Sequence, residues 1–292
     1  MKRRRVKILR RAVLLLCAPV FLGRFFARET GSEYGVAFFR KARLLARMYR
    51  NRFRIVTASG LLDQLVMVTE ILRIPRGLDG AVVECGSYQG GSTTNFSLVC
   101  ALVGRTLHVF DSFAGLPEPP EADKLHILPS VQELRAFEKG DFCGTLETVK
   151  TNVKRHGNLD VCRFHVGYFE DTMPDFAEPC VFAFCDVDLR SSLETCVEYL
   201  WPRLVDRCYL FTHEANHMEI AGLFFDQSWW KTRLQSVPPG LVGGGSGLGL
   251  YVSDHGFFRS SLGFAMKNIK PIDFGASDSV NPDLLAEERR HG

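Results

Sequence analysis

The chain has no C-x-x-C pair, although nine of its 292 residues are cysteines: Cys17, Cys85, Cys100, Cys143, Cys162, Cys180, Cys185, Cys196 and Cys208. The number is odd, and most lie in apolar runs. That fits buried free thiols in a reducing compartment, and argues against a disulfide framework or a cysteine-built zinc site. Long hydrophobic runs are also lacking. The run Ala12–Leu22 has 11 residues and is interrupted by Pro19, short of the roughly 20 needed to span a bilayer. Arg24 and Arg28 follow it and no A-x-A site does, which argues against a cleaved signal peptide. No internal repeat and no recognisable nucleic-acid-binding module is present, so no nucleic-acid partner is expected.

What is present is an ordinary globular balance, 46% hydrophobic and 24% charged, in a chain long enough to bury a large core. The net charge of +3 conceals an asymmetry. Residues 1–54 carry 16 basic and 2 acidic side chains, which leaves 20 basic against 31 acidic in the rest. Within this head, Val36, Phe39, Arg40, Arg43, Leu44, Arg47 and Met48 recur at helical spacing, and Phe38, Leu45 and Tyr49 widen the stripe. The pattern predicts a basic amphipathic helix that either lies on an anionic membrane surface or packs on the body. The expected division is a basic N-terminal segment at 1–54, an α/β domain at 55–272 and a weakly ordered tail at 273–292. The expected location is cytoplasmic, peripheral on a membrane, with a homo-oligomer as a compatible assembly.

From Ser59 the pattern alternates between apolar runs and helical segments. Strands are expected at Ala81–Cys85, Leu107–Phe110, Val161–Val166, Cys180–Cys185 and Cys208–Thr212. Helices are expected from Ser59 to Leu72, Ser92 to Val103 and Leu189 to Leu200, and within His217–Leu234. Gly115–Pro129 reads as an acidic, proline-containing loop. Leu248–Ser253 and Phe264–Ile269 read as a closing antiparallel hairpin, and Gly243–Gly249 as a lid or a plain loop. Alternation of this kind implies a doubly wound, mostly parallel sheet covered on both faces.

Four sites carry chemistry. ECGSYQGGS, Glu84 to Ser92, ends the first strand with a glycine-rich turn, where doubly wound sheets bind ligands. Ser92 stands where a phosphate loop needs Lys, and Tyr88 where a dinucleotide fingerprint needs its second glycine; the plain alternative is a tight turn. Asp111 ends the second strand, where an acid can hold the ribose hydroxyls of an adenosine-bearing cofactor or simply cap the next element. Asp186-Val187-Asp188 follows the fourth strand. Two such carboxylates suit a divalent cation, and D-x-D also serves metal-dependent glycosyltransferases. Finally, His213 and Glu214 follow the fifth strand with His217 nearby, a set offering metal-ligand or general-base chemistry. His213 to His217 also spells H-E-x-x-H, which makes a zinc protease only if it lies on one helix.

Together these segments resemble the macrocin O-methyltransferase (TylF-type) family of class I methyltransferases. The resemblance rests on ECGSYQGGS, FDSFAGLP (Phe110 to Pro117), HVGYFEDTMP (His165 to Pro174) and CDVDL (Cys185 to Leu189), in the family's order. It implies a seven-stranded Rossmann-like fold, S-adenosylmethionine as methyl donor, and a hydroxyl acceptor that is small or glycan-linked. Glu84, Gly86, Ser87, Tyr88, Gly90, Gly91 and Ser92 would line the methionine and ribose end. Asp111 would bind the ribose, Ser112 and Phe113 would flank it, and Gly167, Tyr168 and Phe169 would form the adenine side. Asp186 would face the methyl group and help bind Mg²⁺. The sequence departs where the family usually has paired aspartates: His213 and Glu214 stand there. Asp186, His213 and Glu214 are thus the expected metal set, with His213 and Asp186 catalytic. The substituted His213 either softens the site toward a transition metal or acts as general base. Arg190 replaces the tyrosine usual after D-x-D. A glycosyltransferase, and a non-catalytic membrane-associated protein that retains the cofactor pocket, stand as alternatives.

Overall fold

The computed structural model describes residues 19–128, 133–243, 251–252, 258–259 and 261–268. Its centre is a seven-stranded sheet in the order β5-β2-β1-β6-β7-β11-β8. The strands are β1 (Ala81–Cys85), β2 (Leu107–Asp111), β5 (Cys162–Val166), β6 (Cys180–Cys185), β7 (Leu204–Thr212), β8 (Val242–Gly243) and β11 (Gly263–Met266). The first five run parallel, and β11 is antiparallel to both β7 and β8. β1 and β6 are buried along their whole length, as expected of parallel strands covered on both faces.

The covering helices are α1 (Phe38–Asn51), α2 (Leu61–Arg73), α3 (Gly91–Val103), α4 (Leu146–His156), α5 (Phe169–Thr172), α6 (Arg190–Arg203), α7 (Met218–Leu223) and α8 (Gln227–Leu234). Local chemistry sets their ends. Thr145 caps α4 by accepting from the Thr148 N–H, Asp226 caps α8 by accepting from the Trp229 N–H, and Gly104 closes α3 at φ 68°. Fully buried Phe96, Phe182, Phe184 and Phe211 form the middle of the core.

Of the two arrangements expected for the head helix, it packs on the body: Phe25, Val36, Leu44 and Met48 belong to the main core, and Arg47 donates to the carbonyls of His156 and Gly157. Two features differ from the expectation. The loop at 115–129 contains one strand of an inserted hairpin, β3 (Leu125–Leu128) with β4 (Glu133–Ala136). In it the apolar residues face outward: Leu125 and Ile127 are exposed, and His126 is fully buried. The C-terminal hairpin joins β11 to β8, one strand earlier than expected, while β9 (Tyr251–Val252) pairs with β10 (Phe258–Arg259) in a separate ribbon. The expected strand at Leu248–Ser253, the Gly243–Gly249 lid, residues 1–18 and the tail at 273–292 lie wholly or largely outside the described residues.

From β1 the chain proceeds outward through β2 to β5, then crosses back to lay β6 and β7 on the other side of β1. The order therefore reverses between β1 and β6. A crevice opens there beyond the carboxyl ends of the strands, and it places Cys85-Gly86 beside Cys185-Asp186.

Candidate active site

Gly86 makes the switch point possible. It has φ 84°, and a Cβ there would lie 1.9 Å from the Asp186 carbonyl oxygen, so the two loops touch only because the side chain is absent. Asp111, at the end of β2, ties the next loop in. Its Oδ2 accepts from the Ser87 N–H at 2.6 Å and from the Ser87 hydroxyl at 2.9 Å, and its Oδ1 accepts from the Phe113 N–H at 2.7 Å. Tyr88, Phe113 and Asp188 all have positive φ, 48°, 54° and 59°. Left-handed non-glycine residues are costly, and they concentrate at functional sites.

Under the turn lies Glu84, with no exposed surface and, among the described residues, no well-formed hydrogen bond to either carboxyl oxygen. Burial pushes its carboxyl up to about 8; the neighbouring Ser92 and Thr93 hydroxyls pull it only partly back, and the Asp186 and Asp111 charges add to the rise.

Across the crevice stands a compact cluster. His213 Nδ1 lies 3.3 Å from Asp186 Oδ1 and 3.3 Å from Glu214 Oε1, while its Nε2 is 3.1 Å from Ser261 Oγ. The ligand-capable atoms of Asp186, His213 and Glu214 all lie within 4.8 Å of one another. Burial works against the His213 charge, but the Asp186 and Glu214 carboxylates outweigh it and hold the imidazole well above its usual range. Burial would likewise raise Asp186, yet the His213 charge holds it below the usual carboxylate range. Glu214 is pushed well up by burial and by the Asp186 charge. Two further carboxyls feel the same field: burial raises Asp63 to about 6, and burial with the Asp186 charge raises Asp188 to about 7. Several acids that compete for few protons near neutral pH mark a functional centre.

These groups face a cavity of about 510 Å³, within the range of small-molecule sites. Arg52, Thr57, Gly60 and Asp63 close one side of it, and Leu128 and Arg135 of the inserted hairpin another. Arg135 lies over the rings of Phe137 and Phe142, at 5.7 and 5.3 Å. Asp63 Oδ1, Glu214 Oε2 and Asn216 Oδ1 are buried at this cavity without a hydrogen-bond partner among the described residues, which is unusual unless a polar ligand is to be received.

The sequence profile of the macrocin O-methyltransferase (TylF) family matches residues 56–222. The chain belongs to this family. It is an S-adenosylmethionine-dependent O-methyltransferase. Among solved structures, the O-methyltransferase NovP is similar in fold, with a TM-score of 0.56 at 18% identity over 72% of this chain and 81% of that one. The calicheamicin methyltransferase CalS11 aligns at 14% identity over 77% of this chain and 92% of its own, with a TM-score of 0.47. No curated protein matches the sequence.

Of the methyltransferase residues expected from sequence, Gly86, Ser87, Tyr88, Ser92, Asp111, Ser112, Tyr168, Phe169, Asp186, His213 and Glu214 line the cavity. Glu84, Gly90, Gly91, Phe113 and Gly167 stand behind the wall. Gly90 packs on Val149 and Gly91 on Thr57, and Phe113 is buried against Phe164. H-E-x-x-H does not form on one helix: His213 and Glu214 precede α7, and His217 is its N-cap residue. His217 instead meets His126 (Nδ1 to Nδ1, 3.2 Å), whose Nε2 is 3.2 Å from Asp123 Oδ1. Asp123 also accepts from the Ser191 N–H at the start of α6, so this triad pins the hairpin to the sheet's helices.

Sequence reasoning missed Asp63, Asn216, Ser261, Arg52 and Arg135. Asp63 sits in an apolar helix and accepts from the Gly60 N–H, which in sequence looks like an ordinary helix-start acid. The other four lie in loops or short strands whose partners are far away in the chain.

Proposed function

We propose that the chain methylates a hydroxyl of a small or glycan-linked acceptor, with Asp186, His213 and Glu214 forming a divalent-cation site beside the methyl-transfer position. The observation that carries this reading is the contact of Gly86 with Asp186. It brings the cofactor turn and the acid–imidazole cluster to one cavity.

The residues present fit S-adenosylmethionine. Asp111, already anchored by Ser87 and Phe113, presents its carboxylate at the cavity, while Glu84 lies behind the wall, where its charge would act on a ligand cation through the field and not by contact. When bound, the cofactor supplies an electrophilic methyl group. The protein's part is to align donor and acceptor and to take the acceptor's proton. Tyr168 and Phe169 offer apolar cover on the side of β5, and Leu128 and Arg135 shape the acceptor side. The donor set of Asp186, His213 and Glu214 would also suit a divalent cation, because its ligand atoms all lie within 4.8 Å of one another and combine two carboxylates with an imidazole. A cation there would make the acceptor hydroxyl more acidic. The released proton passes into the cluster around His213.

The nucleotide-sugar reading of D-x-D is not favoured. Among the described residues, Asp188 does not join the ligand cluster. A membrane-surface role for the head is supported by a different observation. No described helix is long and apolar enough to cross a membrane. Yet Phe39 and Phe53 are 84% and 74% exposed among the arginines of α1 and the turn after it, a composition suited to anionic lipid.

Isothermal titration with S-adenosylmethionine, repeated with Mg²⁺ and with a chelator, tests the central reading. Saturable binding that responds to the ion supports it. Binding unmoved by either addition would remove the cation from the proposal.

A further inference from the structure

His213 breaks the all-oxygen character of the cluster, and its orientation is fixed from an unexpected place. Pairing of β11 with β7 sets Gly263 opposite Thr212. Just beyond these pairs the Ser261 carbonyl accepts from the Ala215 N–H at 2.9 Å, which holds Ser261 alongside the segment from His213 to Ala215. Ser261 is buried, 7% exposed, and its hydroxyl is 3.1 Å from His213 Nε2. The other ring nitrogen, Nδ1, is the one turned toward Asp186 and Glu214, at 3.3 Å from each. Glu214 is itself 4% exposed, with Oε2 unpartnered at the cavity.

An imidazole ligates a metal through one nitrogen and donates the N–H of the other, and the group that accepts that N–H fixes the tautomer. With the Ser261 hydroxyl accepting from Nε2–H, it is Nδ1 that gives up its proton when an ion binds, and the lone pair is then exposed among the carboxylates. Oxygen-only sets suit Mg²⁺, whereas one imidazole with two carboxylates suits the first-row transition ions.

We propose that Ser261 is a positioning residue that presents His213 Nδ1, with the Asp186 and Glu214 carboxylates, as a nitrogen–oxygen–oxygen site selective for a divalent transition ion over Mg²⁺. This rests on the divalent-cation reading of the same cluster and names the class of ion.

The test uses the full chain without a polyhistidine tag, stripped with a chelator and titrated with Co²⁺ while its visible ligand-field absorption is recorded. Mg²⁺ is then added as competitor. The wild type should bind Co²⁺ with clear visible bands and yield it only to a large excess of Mg²⁺. In His213→Asp the excess of Mg²⁺ required should fall about tenfold or more, because the nitrogen donor is gone. Ser261→Ala should weaken Co²⁺ binding about 10–100-fold, retain S-adenosylmethionine affinity, and regain Co²⁺ binding in part as Ser261→Thr. Equal Mg²⁺ competition in the wild type and His213→Asp would overturn the selectivity and leave the cation site standing. Unchanged Co²⁺ affinity in Ser261→Ala would overturn the positioning role. Binding of neither ion by the wild type would overturn the cation reading itself, and this inference with it.

Discussion

Replacing Glu84 by Gln should stabilise the cofactor-free protein at neutral pH while weakening its hold on the cofactor. The Glu84 carboxyl is fully buried and lacks a well-formed hydrogen bond, and its folded-state pKa is about 8 against an ordinary value of 4.5. A raised carboxyl pKa means that the fold prefers the protonated form. Stability from this group is therefore fully present below about pH 4.5 and is lost as pH rises through about 8. The difference amounts to about 3 kcal/mol at pH 7, an upper figure because the buried site can relax. Gln carries no charge at any pH and escapes this loss. Thermal unfolding should show the two proteins alike near pH 4.5, with the variant pulling ahead by about 5 °C or more at pH 7–8. Cofactor binding should show the opposite sign. A cationic ligand near Glu84 favours the carboxylate, so the wild type should release a proton on binding near pH 7. Titration calorimetry in buffers of different ionisation heat reads that proton, and the variant should neither release it nor retain full affinity, losing about tenfold or more. A stability difference that does not grow between pH 5 and 8 would refute the reasoning, whatever happens to binding.

Three other substitutions separate the parts of the site. Asp111→Ala removes the carboxylate that holds Ser87 and Phe113 and should weaken S-adenosylmethionine binding about tenfold or more in calorimetry. His213→Ala should instead keep cofactor affinity and lose turnover; equal loss of both in a methyl-transfer assay would deny it a role in the chemistry. Gly86→Ala forces a Cβ to 1.9 Å from the Asp186 carbonyl, and should cost about 3 kcal/mol in urea unfolding through strain and overpacking. The double change Phe39→Ser with Phe53→Ser removes exposed aromatics without touching the core, and should release the protein from anionic vesicles in a sedimentation assay. Deleting residues 1–54 would be a poor substitute, because Phe25, Leu44 and Met48 lie in the core.

The parallel half of the sheet was legible in the sequence because its central strands are short apolar runs that end at residues lining the site. AVVEC runs into Gly86, LHVFD ends on Asp111, and CVFAFC runs into Asp186. Burial on both faces makes such strands readable without alternation, and the switch point then brings their ends together by topology alone. The inserted hairpin was illegible because its pattern is inverted. Leu125 and Ile127 point outward, while His126 points inward to Asp123 and His217. Hydrophobic alternation assigns such a strand to the wrong face, or to a loop.

The residues of the site that sequence reasoning did not find share a physical cause. Asp63 and Ser261 enter the cavity from positions 150 and 48 residues away from His213 along the chain, and neither carries a local signal. Asp63 uses one oxygen as an ordinary helix-start acceptor and leaves the other for the cavity. Ser261 is brought to His213 only by the register of β11 on β7. The histidine at position 213, where the resemblance leads one to expect an aspartate, reads in the sequence as a loss of one ligand oxygen. In the fold it gains a partner for its second nitrogen, so the substitution and Ser261 have to be judged together. A chain that carried His213 without a hydroxyl at position 261 would leave a buried N–H unpaired beside the cluster, at a cost of about 1–3 kcal/mol. That pairing is what supports the proposal of His213 as a built ligand over the remnant of a lost one.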